Sequence, residues 1–345
     1  MQRKMKVALF YGARDVRVEE IPVPKPGPGE ALVRIHTALT CATDLKTFIR
    51  GGHKMIPSLP SPFGHEFAGT IERLGKGVTG FEEGTRVACA NSAPCNQCSF
   101  CRIGRHNLCE NLRFLNGAYA EFILIPEAIV KQNLYPIPAG IPYERMALLE
   151  PLACVVHGVQ RTGIKMHHTV AVVGAGPIGL LFIRLIKLKG AEVIVLGRSP
   201  WKLEAARRMG ADHVLSVPDL DDPEEAVREL SDGRGVDVVI EAVGIPEIWE
   251  RTLNITRRGG KVNLFGGCEK GTAVRLDTHQ LHYEEKRILS VFHHTPRFVA
   301  MAYDLLVRGE VDERVLITDR LPLGRLAEAF ERMENRKALK IAIEP

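Results

Sequence analysis

Cys95, Cys98, Cys101 and Cys109 follow the spacing C-x2-C-x2-C-x7-C, within fifteen residues. Four thiolates at that spacing can surround one ion as a closed tetrahedral site, the arrangement zinc favours. A closed site leaves no coordination position for a substrate, so this set reads as structural. A different set of donors is spread over the first 150 residues: Cys41, the pair His65-Glu66, and Glu150. Further on, TVAVVGAGPIGLL carries Gly174-x-Gly176-x-x-Gly179. Together these read as an enzyme with one sealed metal, one working metal and a bound nucleotide.

The glycine loop lies between a β-branched apolar run and a stretch of helical period. In that strand–turn–helix context the pattern is strong evidence for a dinucleotide. Gly174 permits the tight turn, Gly176 lets a pyrophosphate approach the backbone, and Gly179 lets helix pack on strand. Pro177 and Ile178 complete the loop where the phosphates meet the positive end of the helix. A tight turn with no ligand is the alternative. The next strand ends in Gly197-Arg198-Ser199, where an NAD site needs a carboxylate for the ribose hydroxyls. A guanidinium attracts a 2′-phosphate instead and can bond it with two parallel hydrogen bonds. Gly197 leaves room, Ser199 can donate a hydrogen bond, and Lys202 follows closely. These residues, with Val243 further along, predict an NADP(H) site. An arginine that merely ends a strand, in a site accepting either cofactor, is the competing reading.

The elements that must position these groups change character near residue 150. Before it, KVALF, DVRVEEI, EALVRIHTAL, TIERLG, RVACA and YAEFILI are short strands with Gly/Pro punctuation, the pattern of a small barrel. After it, PLACVVHGVQRTG reads as a helix. TVAVVG, AEVIVLG, HVLSV, VDVVIEAVG and KVNLFGG then alternate with helical stretches. Continuous apolar strands of this kind are buried on both faces of a parallel sheet. RILSVF closes that domain. Two amphipathic helices, RFVAMAYDLLVRG and LGRLAEAFERMENRK, and the strand LKIAIEP end the chain. The expected fold class is α/β, with a β-barrel domain over 1–150, a doubly wound domain over 151–293, and a segment over 294–345 returning to the first domain.

At 345 residues the chain can hold two separate cores. Its net charge of +5 is spread without a long Lys/Arg run, which argues against a nucleic-acid partner. The amino end lacks the apolar stretch of a signal peptide, and no run of about eighteen apolar residues marks a membrane span. A cytoplasmic protein is the expectation. There the clustered cysteines suit metal binding better than disulfides.

GHEFAGTIERLGKGV fits G-H-E-x2-G-x5-G-x2-V from Gly64 to Val78, with Cys-Ala-Thr-Asp at 41–44 upstream and Leu-Glu-Pro-Leu-Ala at 149–153 downstream. With DVVIEAVG, NLFGG and SVFHHTP in order, the chain resembles the zinc-dependent medium-chain dehydrogenase/reductase family over nearly its full length. The sorbitol (polyol) and threonine dehydrogenase branches are the most similar. The resemblance implies a GroES-like catalytic barrel, a Rossmann domain and a substrate cleft between them. It implies two zinc ions, one of them catalytic and held by Cys41 and His65, with Glu66 a ligand in some states or a neighbour in others, and Glu150 binding directly or through a water. Asp44 would orient His65, and Thr43 would pass the hydroxyl proton on. Lys46 stands where many relatives have histidine, and a charged lysine is a poor base at pH 7. His53 is a weak replacement, and Asp319 stands where histidine is frequent.

The implied reaction is reversible oxidation of a secondary alcohol, with a polyol or sugar alcohol favoured. Threonine, simple secondary alcohols and diols are the alternatives. Phe48, Ile49, the 51–58 loop, residues 114–117 and His293-His294 are the expected cleft wall. A redox sensor with only the structural zinc would need no open metal site. A zinc-free quinone reductase would lack both ligand sets. The family's edge strand corresponds to RILSVF, so a homodimer or homotetramer is expected.

Overall fold

Alternating apolar and polar residues near the amino end fold as antiparallel strands. Lys4–Gly12 pairs with Asp15–Pro22 and with the short Ser61–Pro62. The computed structural model describes residues 3–53, 56 and 58–345. They fall into two units: one of residues up to Ala153 together with His294–Pro345, the other Cys154–His293.

In the first unit a larger sheet runs Leu134–Pro136, Arg86–Cys89, Glu66–Leu74, Ala31–Leu39, Lys340–Glu344, Ile317–Pro322, with Phe122–Ile125 also paired to Ala31–Leu39. The carboxy-terminal strand is thus inserted beside Ala31–Leu39, antiparallel, with Ala342 opposite Leu39. That pairing decides which late residue reaches the site. The core beneath is aromatic: Phe10, Phe63, Phe67, Tyr119 and Phe330 are all fully buried. Two helices not evident in the sequence, Glu127–Asn133 and Tyr143–Ala147, each follow a proline at the N-cap, Pro126 and Pro142. Those prolines look like breakers, yet extended backbone ahead of a first turn suits them.

The second unit holds one six-stranded sheet whose neighbours are all parallel. Its order is His213–Ser216, Glu192–Gly197, Thr169–Val173, Val236–Glu241, Thr256–Leu264, Arg287–Leu289. Numbered along the chain this is 3-2-1-4-5-6, the doubly wound dinucleotide-binding order. The edge strand takes only Arg287–Leu289 of the expected RILSVF. Beyond it, His293 adopts a left-handed backbone at φ 60°. Among the described residues no helix is long and apolar enough to cross a membrane.

Candidate active site

The four cysteines come together around two short turns, Ser99–Arg102 and His106–Leu108. Their sulfurs all lie within 4.8 Å of one another. Backbone N–H groups of Gln97 and Cys98 pull the Cys95 thiol down to about 6, whereas burial pushes Cys101 up to about 12. The Cys95 N–H also donates to the Cys109 sulfur at 3.2 Å. Protons are therefore held unevenly across the four sulfurs, and only a cation makes four adjacent thiolates tolerable. The donor set fits zinc.

The second cluster is assembled from a helix N-terminus and a strand start. Cys41 is the N-cap of the helix Ala42–Arg50, its sulfur accepting from Thr43 N–H at 3.4 Å. Gly51, at φ 86°, ends that helix in a left-handed turn. His65 and Glu66 come from the start of Glu66–Leu74 and the residue before it, both buried. A donor atom from each of Cys41, His65 and Glu66 falls within one 4.8 Å group. Asp44, on the first turn of the helix, meets His65 Nδ1 at 3.0 Å through Oδ1 and Tyr119 Oη at 2.6 Å through Oδ2. Burial opposes charge on His65, but Asp44 and Cys41 beside it outweigh burial and raise its pKa well above the ordinary value.

Lys340 was not singled out by the sequence. It is 2% exposed, and its ammonium donates to Glu66 Oε2 and to the Thr40 carbonyl at 3.1 Å. Burial works against its charge, yet Glu66, Cys41 and Glu150 together raise its pKa. One ammonium thus stands among a thiol and two carboxyl groups in a buried setting, a donor set whose ionised form a divalent cation would balance. The other Glu66 oxygen, Oε1, is buried without a hydrogen-bond partner. An acceptor left bare in that position beside a thiol and an imidazole fits a metal ion.

Glu150 is buried in the first turn of Leu149–Thr162; its donor atom falls outside the 4.8 Å group of Cys41, His65 and Glu66, and its charge bears on Lys340, which holds Glu66. Thr43 lies inside the first helical turn, so the capping role belongs to Cys41. Lys46 is half-buried on the same helix. Phe48 is a core residue, stacked on Phe330 at 5.0 Å, whereas Ile49 is exposed. Phe114 pairs with Ser92 in a two-stranded ribbon. Of the 51–58 loop, Lys54, Met55 and Pro57 lie outside the described residues; His53 is half-buried. His294 belongs to the first unit, buried with Nε2 3.2 Å from Asn91 Oδ1. The His293 carbonyl meets His157 Nδ1 at 2.7 Å within the second unit. Asp319 has a structural explanation: it accepts from Arg332 at 2.7 Å.

In the glycine loop, Gly174 has φ 109° and its missing side chain leaves space for Val243, whose Cγ2 would sit 2.8 Å from a Cβ there. Gly176, the N-cap of Pro177–Leu188, faces open space, as an approaching phosphate requires. A Cβ on Gly179 would fall 1.9 Å from the Gly174 carbonyl oxygen, so helix and loop touch there. Ile178 lies in the same first turn. Gly197 is explained by packing more than by room for a phosphate, because a Cβ would meet Leu203 at 2.8 Å. Arg198 is exposed at the strand end, Ser199 is the N-cap of Pro200–Arg208, and Lys202 lies over the Trp201 ring at 5.2 Å. Glu241, which the sequence did not single out, organises the neighbouring loop. Its carboxylate accepts from Val243 N–H at 2.7 Å, Gly244 N–H at 2.9 Å and Trp249 Nε1 at 2.9 Å. Burial nonetheless leaves its pKa raised.

Comparison with known proteins agrees with the fold. Residues 27–139 match the family model described as alcohol dehydrogenase GroES-like domain, and residues 177–308 match that described as zinc-binding dehydrogenase. Sorbitol dehydrogenase of Bacillus subtilis is 32% identical over 99% of this chain and 98% of its own length. L-Galactonate-5-dehydrogenase of Escherichia coli is 32% identical over 97% and 98%. A zinc-binding dehydrogenase of Sinorhizobium meliloti 1021, solved with NADP bound, superposes with a TM-score of 0.91 at 30% identity, covering all of both chains.

Proposed function

The chain belongs to the zinc-dependent medium-chain dehydrogenase/reductase family, in its polyol branch, and from that membership we propose reversible hydride transfer between NADP(H) and a secondary alcohol, with a polyol or sugar alcohol as the substrate class. The observation that carries the reading is the bare, buried Glu66 Oε1 beside Cys41 and His65. Cys41 and His65 would hold the catalytic zinc, with oxygen supplied by Glu66 and, directly or through a water, by Glu150. A zinc ion bound there supplies Lewis acidity, lowering the pKa of an alcohol hydroxyl or polarising a carbonyl. The protein's own groups do the rest. Asp44 fixes the His65 ring, Lys340 holds one Glu66 oxygen, and Thr43 accepts the substrate hydroxyl proton on its way to solvent. The substrate carbon must be held against the nicotinamide ring with water kept out. The four-cysteine site holds the second, structural zinc.

Arg198 and Ser199 support NADP(H), since no carboxylate stands at the end of that strand to repel a 2′-phosphate. The NADP carried by the S. meliloti relative supports the same choice. The reading takes the enzyme to act as a homodimer or homotetramer in the cytoplasm. A panel of polyols, diols and simple alcohols is to be tested with NADP+ and with NAD+. Turnover of polyols with NADP+ is expected, and Arg198→Asp should move the preference toward NAD+. A clear NAD+ preference in the unaltered enzyme defeats the cofactor assignment. Oxidation that survives removal of the catalytic ion defeats the mechanism.

A further inference from the structure

We infer that Tyr119 is a positioning residue for the metal site, acting on His65 through Asp44. The inference rests on the proposed zinc at Cys41, His65 and Glu66, and it concerns a residue whose hydroxyl lies one group further out. Asp44 is 2% exposed and offers two acceptor oxygens. His65 Nδ1 takes one at 3.0 Å and Tyr119 Oη the other at 2.6 Å. An ionised carboxylate can only accept, so both neighbours are donors. An imidazole that ligates a metal ion has given up its second proton and has a single N–H. With that hydrogen fixed on Nδ1, Nε2 is the nitrogen with a lone pair to give to an ion.

The hydroxyl is placed by packing. Tyr119 is wholly buried, edge-on to Phe63 at 5.8 Å and to Phe330 at 6.1 Å. Gly64 makes room for the ring: a Cβ there would lie 2.6 Å from Tyr119 Cδ2. The glycine of the G-H-E run therefore links the tyrosine ring to the chain that carries His65. Tyr119 Oη also lies 3.3 Å from the Leu39 carbonyl, a weaker acceptor than the nearby carboxylate. Burial and the Asp44 charge raise the tyrosine pKa well above its ordinary value, so the hydroxyl keeps the proton it donates. Without it, Asp44 Oδ2 would be a buried carboxylate oxygen with no donor, and the ring it steadies would lose its fixed orientation.

A merely structural reading is that Asp44 serves Tyr119, satisfying a phenol in an aromatic core. Zinc release separates the two. Zinc-loaded Tyr119→Phe, Asp44→Asn and the double variant are challenged with a chromogenic chelator, and the released ion is followed in time. The four-cysteine ion is the internal control, and circular dichroism confirms folding. Tyr119→Phe is expected to weaken the second ion's retention about 10- to 100-fold, the usual effect of losing an outer partner of a ligand, with the control unchanged. The double variant is expected to match Asp44→Asn alone, because the tyrosine acts through that carboxylate. Retention by Tyr119→Phe equal to the parent overturns the inference. So do additive losses in the double variant. A parent protein that holds one zinc only would instead overturn the proposed catalytic metal, a separate result.

Discussion

Lys340 and Glu66 form a buried ion pair whose second member also faces the candidate metal position. A buried pair gives little net stability, but removing one partner strands the other's charge and typically costs about 3–5 kcal/mol. Lys340→Met does this to Glu66. In zinc-free protein the full loss is expected in a denaturant titration. In zinc-replete protein the ion takes over part of the lost compensation, so the loss is smaller. Equal losses in the two forms would mean that Glu66 does not face the ion.

The elements divide into those a short stretch of sequence dictates and those that need the finished topology. The glycine loop lies within one turn and the cysteine run within fifteen residues, so their spacing alone announces them. The parallel strands are legible for a similar reason, since burial on both faces removes polar residues from each run. Lys340 is different: it stands 274 residues from Glu66 and reaches it only because Lys340–Glu344 inserts beside Ala31–Leu39. No local pattern marks it. Phe48, expected at the cleft wall, lies in the core, because a motif fixes sequence neighbours, whereas helix phase decides which side chains face inward. Asp237 shows such a cross-element tie in the second unit. It accepts from Thr169 N–H at 2.8 Å and Arg257 Nε at 2.6 Å, lacing the strands on either side of its own. Burial alone would raise its pKa, but these two donors outweigh burial and lower it. Between the lowered folded value and the ordinary value of about 3.9, the unfolded chain binds more protons. The stabilisation is thus present above the ordinary value and lost as pH falls through the folded one. Asp237→Asn should remove this contribution, so the variant is less stable at neutral pH and its stability falls less steeply in acid. An acid limb as steep as the parent's would show that Asp237 has no share in it.

On the scale of the whole molecule, both proposed metals belong to one unit and both tryptophans to the other. Cys41, His65, Glu66 and the four cysteines lie before Ala153, whereas Trp201 and Trp249 lie within Cys154–His293. Trp249 is tied to Glu241 and to the Gly266 carbonyl, so its emission reports on the sheet that carries the glycine loop. Far-ultraviolet circular dichroism sums over both units. Structural zinc contributes folding free energy directly, and four thiols without their ion lose the bond that closes their lobe. Exhaustive chelation, or Cys98→Ser, is therefore expected to lower the dichroism transition and leave the tryptophan transition near its original temperature. In the same experiment NADP+ should raise the tryptophan transition, as a ligand bound only by the folded form does. If chelation moved both signals together by the same amount, the two units would unfold as one, and the metals would support the entire chain.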